Sequence, residues 1–270
     1  MSGLLGRPAI EPVTVVVNDR VAEGVGLVVL HAPRTAAAIR PGQFVHLRVA
    51  TGADIILRRP FSVHRTQGDR LEILYQILGR GTLRLAETPV GAVMDVVGPL
   101  GHGWEVPEGA THALLVAGGL GAAPLGMLAE QLAARGIATA VALGAPTATR
   151  LVARELFERV VRRVEIATDD GSAGEHGFVT GSVARLLAEE RFDIVYTCGP
   201  EPMQRIVAAT AAEADVACQV SLERLMACGI GACLSCVVTT THGLKRACVD
   251  GPVFAAEEVV WDASETPPKH

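Results

Sequence analysis

Four cysteines near the end of the chain constrain its fold more than any other feature. Cys228, Cys233 and Cys236 lie within nine residues, and Cys248 follows twelve residues later. This order, Cys-x4-Cys-x2-Cys followed by a distant cysteine, is the spacing that plant-type proteins use to bind a [2Fe–2S] cluster. The spacing therefore predicts an iron–sulfur site and, with it, one-electron chemistry.

Two alternatives to the cluster start from the same residues. Gly229 and Gly231 favour the cluster, because they allow the tight turns that a loop around inorganic sulfide needs. Structural zinc usually requires two Cys-x2-Cys pairs, and Cys233 and Cys236 form only one. Disulfides need an oxidising compartment, and no stretch of the chain resembles a signal peptide. A zinc site remains the alternative interpretation.

The composition limits the remaining classes of protein. The 270 residues are 49% hydrophobic, which is enough for two or more domains with cores of their own. The net charge of −5 and the absence of a basic run argue against binding of nucleic acid. The most apolar run, residues 113–129, is short and is interrupted by glycines and a proline. We therefore expect a cytoplasmic protein with no lipid anchor and no membrane span.

Short β-rich segments occupy the first third of the chain. They are Val13–Val17, Val25–Leu30, Gln43–Val49, Leu71–Ile77 and Val93–Val97. Turn signals separate them and no long helix interrupts them, so the pattern predicts a small closed β-barrel.

Two motifs in this region could clamp a dinucleotide. Residues 58–62, Arg-Arg-Pro-Phe-Ser, offer a guanidinium for a pyrophosphate and a hydroxyl for the polar edge of a flavin. A pair of surface arginines is the competing interpretation of this run. Residues 79–83, Gly-Arg-Gly-Thr-Leu, lead into a short predicted helix whose first amides could hold phosphate. Together the two motifs predict a dinucleotide site.

Strands and helices alternate after residue 107. The predicted strands are Ala113–Ala117, Ala138–Gly144, Val164–Thr168 and Asp193–Thr197, and the predicted helices are Ala122–Arg135, Arg150–Arg159, Ser182–Glu190 and Pro202–Glu213. Four such units predict a doubly wound parallel sheet that binds its ligand at the carboxyl ends of the strands.

Two glycine turns follow strands of this predicted sheet. Gly118, Gly119 and Gly121 follow the first strand, although they do not complete the dinucleotide fingerprint. Cys198 and Gly199 follow the last strand and place a thiol and a flexible backbone where a nicotinamide ring could stack. An ordinary buried cysteine is the competing interpretation of the thiol.

In this order, the motifs resemble the ferredoxin–NAD(P) reductase superfamily and, more narrowly, the electron-transfer subunits of class 1B dihydroorotate dehydrogenases. The resemblance covers about residues 13–260, and its most specific parts are residues 57–62, 79–82, 116–125, 168–172, 221–233 and 245–254. It implies a multidomain β and α/β fold: an N-terminal FAD-binding β-barrel (1–105), a doubly wound parallel-sheet NAD domain (106–215) and a C-terminal [2Fe–2S] domain (216–270).

The resemblance also implies three sets of binding residues. The FAD contacts are Arg59, Pro60, Phe61, Ser62, Leu74, Tyr75, Gln76, Gly81 and Thr82. The NAD(H) contacts are Gly118, Gly119, Gly121, Cys198 and Gly199. The cluster ligands are Cys228, Cys233, Cys236 and Cys248. Gln76 departs from the arginine that is commoner in the family, and Arg80 or Arg84 are the candidates to replace that charge.

The mechanism that the resemblance implies is a short redox chain. A hydride passes from NADH to flavin N5, and electrons then pass singly to the cluster. No side chain acts as acid or base, so no catalytic residue is expected beyond a nicotinamide contact at Cys198. The histidines in the first half of the chain are accordingly expected to be ordinary polar residues: His31, His46, His64, His102 and His112.

The implied partner is an FMN-containing dihydroorotate dehydrogenase catalytic subunit, assembled with this chain as a heterotetramer of two plus two. One rival function keeps the chemistry and changes the acceptor, as in the reductase subunits of ferredoxin:NADP oxidoreductases, hydrogenases and sulfite reductases. Another is a non-catalytic zinc- or nucleotide-binding regulator. The run after Leu143 offers no basic pocket for a 2′-phosphate beyond Arg150, which favours NADH over NADPH.

Overall fold

A computed structural model of the chain describes residues 8–49 and 55–261. The first part contains β1 (Ala9–Ala22), β2 (Val25–His31), α1 (Pro33–Ala38), β3 (Phe44–Leu47), β4 (Arg59–Ser62), β5 (Arg65–Gln67), β6 (Arg70–Gln76), α2 (Arg80–Ala86) and β7 (Val93–Leu100). Alternate residues of β1, such as Val13 and Val15, are buried, which is the period-two pattern of a strand with one face on a core.

The first sheet has the strand order β4-β3-β7-β1-β2-β6-β5. Every neighbouring pair in it is antiparallel. Its two edge strands, β4 and β5, are joined by Val63 and His64 alone, so the sheet must curl until its edges meet. Buried aliphatic side chains such as Val28, Leu47 and Ile73 fill the interior. The predicted N-terminal β-barrel is confirmed.

The second part contains β8 (His112–Gly118), α3 (Gly126–Ala134), β9 (Ala138–Ala145), α4 (Arg154–Val160), β10 (Arg163–Thr168), β11 (Glu175–His176), α5 (Val179–Glu189), β12 (Ile194–Cys198), α6 (Glu201–Glu213) and β13 (Ala217–Ser221). Short 3-10 segments lie at Gly119–Leu125 and Ala148–Arg150.

The second sheet has the order β11-β10-β9-β8-β12-β13, and its neighbouring strands are parallel. One face packs against α3 and α4 through side chains that include Leu128 and Phe157. The opposite face packs against α5 and α6 through side chains that include Val183 and Val207. Helices on both faces of a parallel sheet confirm the predicted doubly wound domain.

The last part contains β14 (Val237–Thr240), β15 (Gly243–Arg246) and β16 (Val253–Ala255), followed by a 3-10 turn at Ala256–Glu258. β14 and β15 form a separate hairpin. β16 returns to the second sheet and pairs antiparallel with β13, with Ser221 opposite Val253. The segment between these two residues carries all four cysteines of the predicted cluster.

Several polar contacts join the barrel to the parallel-sheet domain, and three of them lie near the segment that follows β8. Trp104 Nε1 donates to the carbonyl of Pro124 at 3.0 Å, and His64 Nδ1 lies 3.0 Å from the carbonyl of Ala123. The Arg65 guanidinium pairs with the Glu130 carboxylate at 2.6 Å. Ala123 and Pro124 lie in the 3-10 segment that follows β8, and Glu130 lies in α3. These contacts therefore fix this part of the domain against the barrel.

The helix predicted from Ala122 to Arg135 begins later than expected. Residues 119–125 form a 3-10 segment, and the α-helix starts at Gly126. The Gly126 N–H bonds to the carbonyl of Ala123 in the 3-10 pattern, and the carbonyls of Ala123 and Pro124 also contact His64 and Trp104 on the barrel side. Within the described ranges, no helix has the length and apolar character needed to span a membrane.

Candidate functional site

A cleft of about 540 Å³ lies where the barrel meets the parallel sheet. The nine residues predicted to contact FAD all line it: Arg59, Pro60, Phe61, Ser62, Leu74, Tyr75, Gln76, Gly81 and Thr82. They come from β4, from β6 and from the start of α2. The volume is within the range of small-molecule sites.

The two consecutive arginines of the sequence motif have different positions. Arg59 lines the cleft. A Cβ at Gly81 would lie 3.0 Å from Arg59 Nε, so the glycine leaves room for this side chain beside the start of α2. Arg58 instead pairs with the Asp95 carboxylate and donates to the Asp95 carbonyl at 3.1 Å. Only Arg59 of the pair is therefore placed to bind a ligand in the cleft.

Tyr75 on β6 combines a structural contact with a position in the cleft. Its side chain is 1% exposed, and its hydroxyl donates to Asn18 Oδ1 at 2.9 Å. Burial raises the pKa of the Tyr75 phenol to about 12, so the group is neutral near pH 7. Of the two candidates to replace the charge missing at Gln76, Arg80 lines the cleft, whereas Arg84 forms an exposed ion pair with Glu87.

The two glycine turns at the carboxyl ends of β8 and β12 pack directly on each other. A Cβ at Gly121 would lie 2.1 Å from the carbonyl oxygen of Cys198, and a Cβ at Gly199 would lie 2.9 Å from Gly118 Cα. Gly119 and Gly199 have positive φ angles of 55° and 150°. Glycine is therefore required sterically at Gly121 and favoured by backbone conformation at Gly119 and Gly199.

The segments around the glycine turns share the cleft with the barrel, and Cys198 is the one of the five residues predicted to contact NAD(H) that lines it. Leu120, Ala123, Pro124 and Cys198 line the same cavity as Arg59 and its neighbours. Burial raises the pKa of the Cys198 thiol above its ordinary value, so the thiol is protonated at neutral pH. Because the protonated thiol is small and uncharged, it can pack directly against an aromatic ring.

Sequence reasoning missed one wall of the cleft. Ser221, Leu222, Glu223, Arg224 and Met226 also line it. Ser221 ends β13 and the others follow it; β13 (Ala217–Ser221) is a parallel strand that was not predicted. The signal was present, because a strand that follows α6 continues the alternation and ends at the ligand-binding edge of the sheet.

Arg224 is held in this wall by an ion pair. Its Nη1 atom lies 2.8 Å from the Glu201 carboxylate at the start of α6, and the two side chains are 19% and 25% exposed. The pair connects the segment that leads to the cysteines with the turn that carries Cys198.

The cysteine loop has the backbone that a cluster requires. Gly229, Gly231 and Leu234 have positive φ angles of 71°, 82° and 60°. The backbone N–H groups of Ile230 and Cys233 lie 3.5 and 3.4 Å from Cys228 Sγ and point at it. Amides that converge on a cysteine sulfur stabilise the thiolate form in which cysteine binds iron.

The four thiols are arranged as two neighbouring pairs. The Cys233 N–H lies 3.4 Å from Cys228 Sγ, and Cys236 is close enough to Cys248 to help raise the pKa of its thiol. No three of the Cys, His, Asp and Glu side chains in the described ranges form a group that could hold a single ion. Two pairs of thiols fit a centre with two irons, each of which takes two protein ligands.

The two pairs differ in their surroundings. Hydrogen bonds from Ser235 are the main cause that lowers the pKa of the Cys233 thiol to about 6. Burial, with the neighbouring Cys236 thiol, raises the pKa of Cys248 to about 12. Cys233 is exposed, whereas Cys236 and Cys248 are 2% and 1% exposed. One pair thus faces solvent and the other faces the protein.

Two protein-family models match the chain. Residues 223–260 match the iron–sulfur cluster binding domain of dihydroorotate dehydrogenase B. Residues 115–209 match the oxidoreductase NAD-binding domain. The first match contains all four cysteines, and the second contains both glycine turns.

Two solved structures are similar to this one. A chain of the NADH-dependent reduced ferredoxin–NADP oxidoreductase superposes with a TM-score of 0.85 and 35% identity, over 92% of this chain and 90% of that one. The ferredoxin reductase of carbazole 1,9a-dioxygenase superposes with a TM-score of 0.63 and 20% identity, over 77% and 65%. The second likeness shows the shared fold.

Several relatives are similar to this chain over most of their length. The dihydroorotate dehydrogenase B (NAD(+)) electron transfer subunit of Desulforamulus reducens is 40% identical over 237 residues, which are 86% of this chain and 90% of the relative. The corresponding subunit of Bacillus caldolyticus is 40% identical over 265 residues, which are 95% of this chain and 100% of the relative. The chain therefore belongs to the family of dihydroorotate dehydrogenase B electron transfer subunits.

Proposed function

We propose that this chain passes electrons between NAD(H) and a dihydroorotate dehydrogenase catalytic subunit through FAD and a [2Fe–2S] cluster, in the synthesis of pyrimidines. One observation carries the proposal. A single cleft is lined by the barrel residues around Arg59, by Cys198, which is the predicted nicotinamide contact, and by the segment 221–226 that leads to the cysteines.

Nine residues of the barrel are proposed to hold FAD in this cleft. Arg59 supplies a guanidinium for the pyrophosphate. At the start of α2, Gly81 leaves room for the Arg59 side chain, and Thr82 offers a hydroxyl. Pro60, Phe61 and Ser62 of β4 face the flavin, together with the backbone and side chains of Leu74, Tyr75 and Gln76. The partial exposure of all four β4 residues is consistent with a strand that presents atoms to a ligand.

The second sheet is proposed to hold NAD(H) across its glycine turns. Gly118, Gly119 and Gly121 let the backbone approach the dinucleotide closely, and Gly199 does the same on the neighbouring strand. Cys198 contacts the nicotinamide ring as a neutral thiol. The run after Leu143 carries no basic residue before Arg150, which supports NADH over NADPH.

Cys228, Cys233, Cys236 and Cys248 are proposed to bind the cluster. FAD supplies two-electron chemistry with NAD(H), and the cluster supplies one-electron chemistry with the partner. The protein holds these groups close together, because the wall 221–226 of the FAD cleft leads directly into the cysteine loop.

The proposed partner is an FMN-containing catalytic subunit, with two copies of each chain in the complex. Four exposed aliphatic side chains around the cysteines support docking at this face: Leu225, Ile230, Leu234 and Leu244. We also propose a cytoplasmic location, which the six unpaired cysteines support. Domain boundaries near residues 105 and 215 are supported by the two family-model matches.

The first test is an absorbance spectrum of the anaerobically purified protein before and after NADH is added. We expect flavin bands and a broad iron–sulfur shoulder that NADH bleaches and dihydroorotate does not. Addition of the catalytic subunit should then allow dihydroorotate to bleach the same bands. A protein that lacks both chromophores after reconstitution would contradict the proposal.

The similarity to the NADH-dependent reduced ferredoxin–NADP oxidoreductase chain favours one second candidate, a reductase subunit of that type. The two functions differ in the acceptor. Incubation of the NADH-reduced protein with the catalytic subunit and orotate, and separately with oxidised ferredoxin, distinguishes them by which acceptor reoxidises the cluster.

A further inference from the structure

His46 is a fully buried polar side chain whose role the redox scheme leaves open. It lies on β3 and is 1% exposed. Among the residues that the structure describes, neither ring nitrogen has a hydrogen-bond partner. A buried polar atom without a partner typically costs about 1–3 kcal/mol. Such a cost points to a ligand or group that completes the site.

The ring of His46 packs against the cysteine loop. A Cβ at Gly229 would lie 2.8 Å from both Cε1 and Nδ1 of His46, so the imidazole faces the backbone of this glycine. Gly229 directly follows Cys228, and its φ of 71° turns the loop at this point. The imidazole is therefore packed one residue from a proposed cluster ligand.

The other surroundings of His46 belong to the FAD site. In the barrel, His46 is opposite Pro60 of β4, one of the residues that line the cleft. Phe44, two residues before it on β3, also lines the cleft, and the two rings are 6.0 Å apart. Residues two apart on a strand share a face. His46 thus connects the wall of the FAD cleft to the cysteine loop.

The chemistry of the imidazole suits a sulfur acceptor. Burial and the nearby Arg58 and Arg59 charges lower the pKa of His46 to about 4, so the ring is neutral and carries one N–H. The sulfur atoms of iron–sulfur clusters accept hydrogen bonds, and such bonds help to set the reduction potential. A donor on the Cys228 side would stabilise the added negative charge of the reduced cluster.

We propose that His46 is a positioning residue for the iron–sulfur cluster. Its ring packs against the loop at Gly229 and donates its N–H to a sulfur on the Cys228 side. This inference rests on the proposed function, because it requires the cluster. It assigns His46 as a donor in the surroundings of the cluster and leaves the four cysteines as the iron ligands.

The direct test is pulsed EPR of the NADH-reduced protein, produced with ¹⁵N-labelled histidine. A ring nitrogen hydrogen-bonded to the cluster gives a weak hyperfine coupling to the unpaired spin, whereas an iron-bound nitrogen gives a strong one. We expect a weak histidine coupling in the wild-type protein and its loss in His46→Leu. A purely structural role for the ring would leave no such coupling.

The second readout is the midpoint potential of the cluster, followed by EPR during a redox titration. His46→Leu should shift the potential to more negative values, because a donor to the reduced cluster is removed. His46→Asn keeps a donor and should restore part of the shift. His31→Leu is the matched control, since it removes a half-exposed histidine of the same barrel that pairs with Asp69.

The outcomes separate the inference from the function on which it rests. A cluster signal without histidine coupling in the wild-type protein would overturn the inference alone. A strong coupling would also overturn it, since His46 would then be a ligand. A reconstituted protein without a cluster signal would overturn both proposals. If His46→Leu does not fold, His46→Asn, in which the histidine coupling should also disappear, still decides the question.

Discussion

Gly121 has no room for a side chain. A Cβ there would lie 2.1 Å from the carbonyl oxygen of Cys198 and 2.7 Å from the nitrogen of Gly199. All of these atoms are backbone atoms of a neighbouring strand end, so no rotamer change relieves the overlap. A single methyl group therefore has to move one of the two turns that are proposed to hold NAD(H).

We predict that Gly121→Ala weakens NADH binding by about tenfold, because overpacking typically costs about 1–3 kcal/mol and about 1.4 kcal/mol is a factor of ten in affinity. Titration of the protein with NADH gives the dissociation constant. Gly181→Ala in α5 is the control, since a Cβ there meets nothing within 4 Å. Unchanged affinity in Gly121→Ala would show that the turn does not contact the dinucleotide.

At the scale of elements, the 3-10 segment Gly119–Leu125 and the start of α3 join the barrel to the parallel sheet. His64, in the two-residue link between β4 and β5, is 5% exposed and packs so closely that a Cβ at Gly126 would lie 2.5 Å from its Nδ1. Burial is the main cause that lowers the pKa of His64 to about 4; the nearby Arg65 charge also lowers this pKa, and the Glu130 charge raises it. Protonation of this ring therefore opposes folding.

We predict that the native state loses stability as the pH falls from about 6.5 towards 4. In that window the unfolded chain binds a proton at His64 and the native chain does not, so the difference in pKa corresponds to about 3 kcal/mol. Above pH 6.5 both states are neutral at this site, and its contribution is constant. Urea unfolding of the cofactor-free protein at several pH values measures the effect.

The comparison variant for this prediction is His64→Asn, which keeps a donor for the Ala123 carbonyl but does not titrate. Its stability should decrease less than that of the wild-type protein over the same window. His46 also has a lowered pKa and remains in both proteins, so the difference between their curves isolates His64. Parallel curves would contradict the assignment.

At the scale of the whole molecule, three units surround one cleft. The barrel supplies one wall, the segment 120–124 with Cys198 supplies the second, and residues 221–226 supply the third. The cysteine loop lies beyond the third wall and packs on His46 of the barrel. Removal of the cluster should therefore interrupt electron transfer to the partner and leave the NAD(H)–flavin step in place.

We predict that Cys236→Ala abolishes the EPR signal of the cluster, retains the bleaching of flavin by NADH, and abolishes electron transfer to the catalytic subunit. Cys236 is one of the two buried thiols of the proposed ligand set. Cys218→Ala is the control, because Cys218 is also buried but lies on β13 outside that set. Retention of the cluster signal in Cys236→Ala would remove Cys236 from the ligand set.

Several features of this arrangement could be predicted from the sequence. Cysteine spacing needs no tertiary information, and the alternation of strands and helices defines a parallel sheet. The resemblance selected Arg59 over Arg58, but residue chemistry alone could not, because the choice depends on Asp95, which is distant along the chain and holds Arg58. Nor could it find His46, because its burial results from packing against Gly229, which lies far along the chain.

Local patterns also misplaced or missed some elements. The α-helix predicted from Ala122 starts at Gly126, after a proline whose effect on the preceding turn depends on its contacts with the barrel. β13 is short and contains Gln219 among its apolar residues, so its pattern alone is weak. Its identity as a strand comes from pairing with β12 and β16.

The pairing of β13 with β16 places the two ends of the cysteine segment side by side. Ser221 and Val253 are direct neighbours across this antiparallel pair, so residues 222–252 leave the sheet and return to it at the same place. This single excursion from the sheet carries both the third wall of the cleft and the cysteine loop. Any movement of it relative to the sheet would therefore change the flavin cleft and the cluster loop at once.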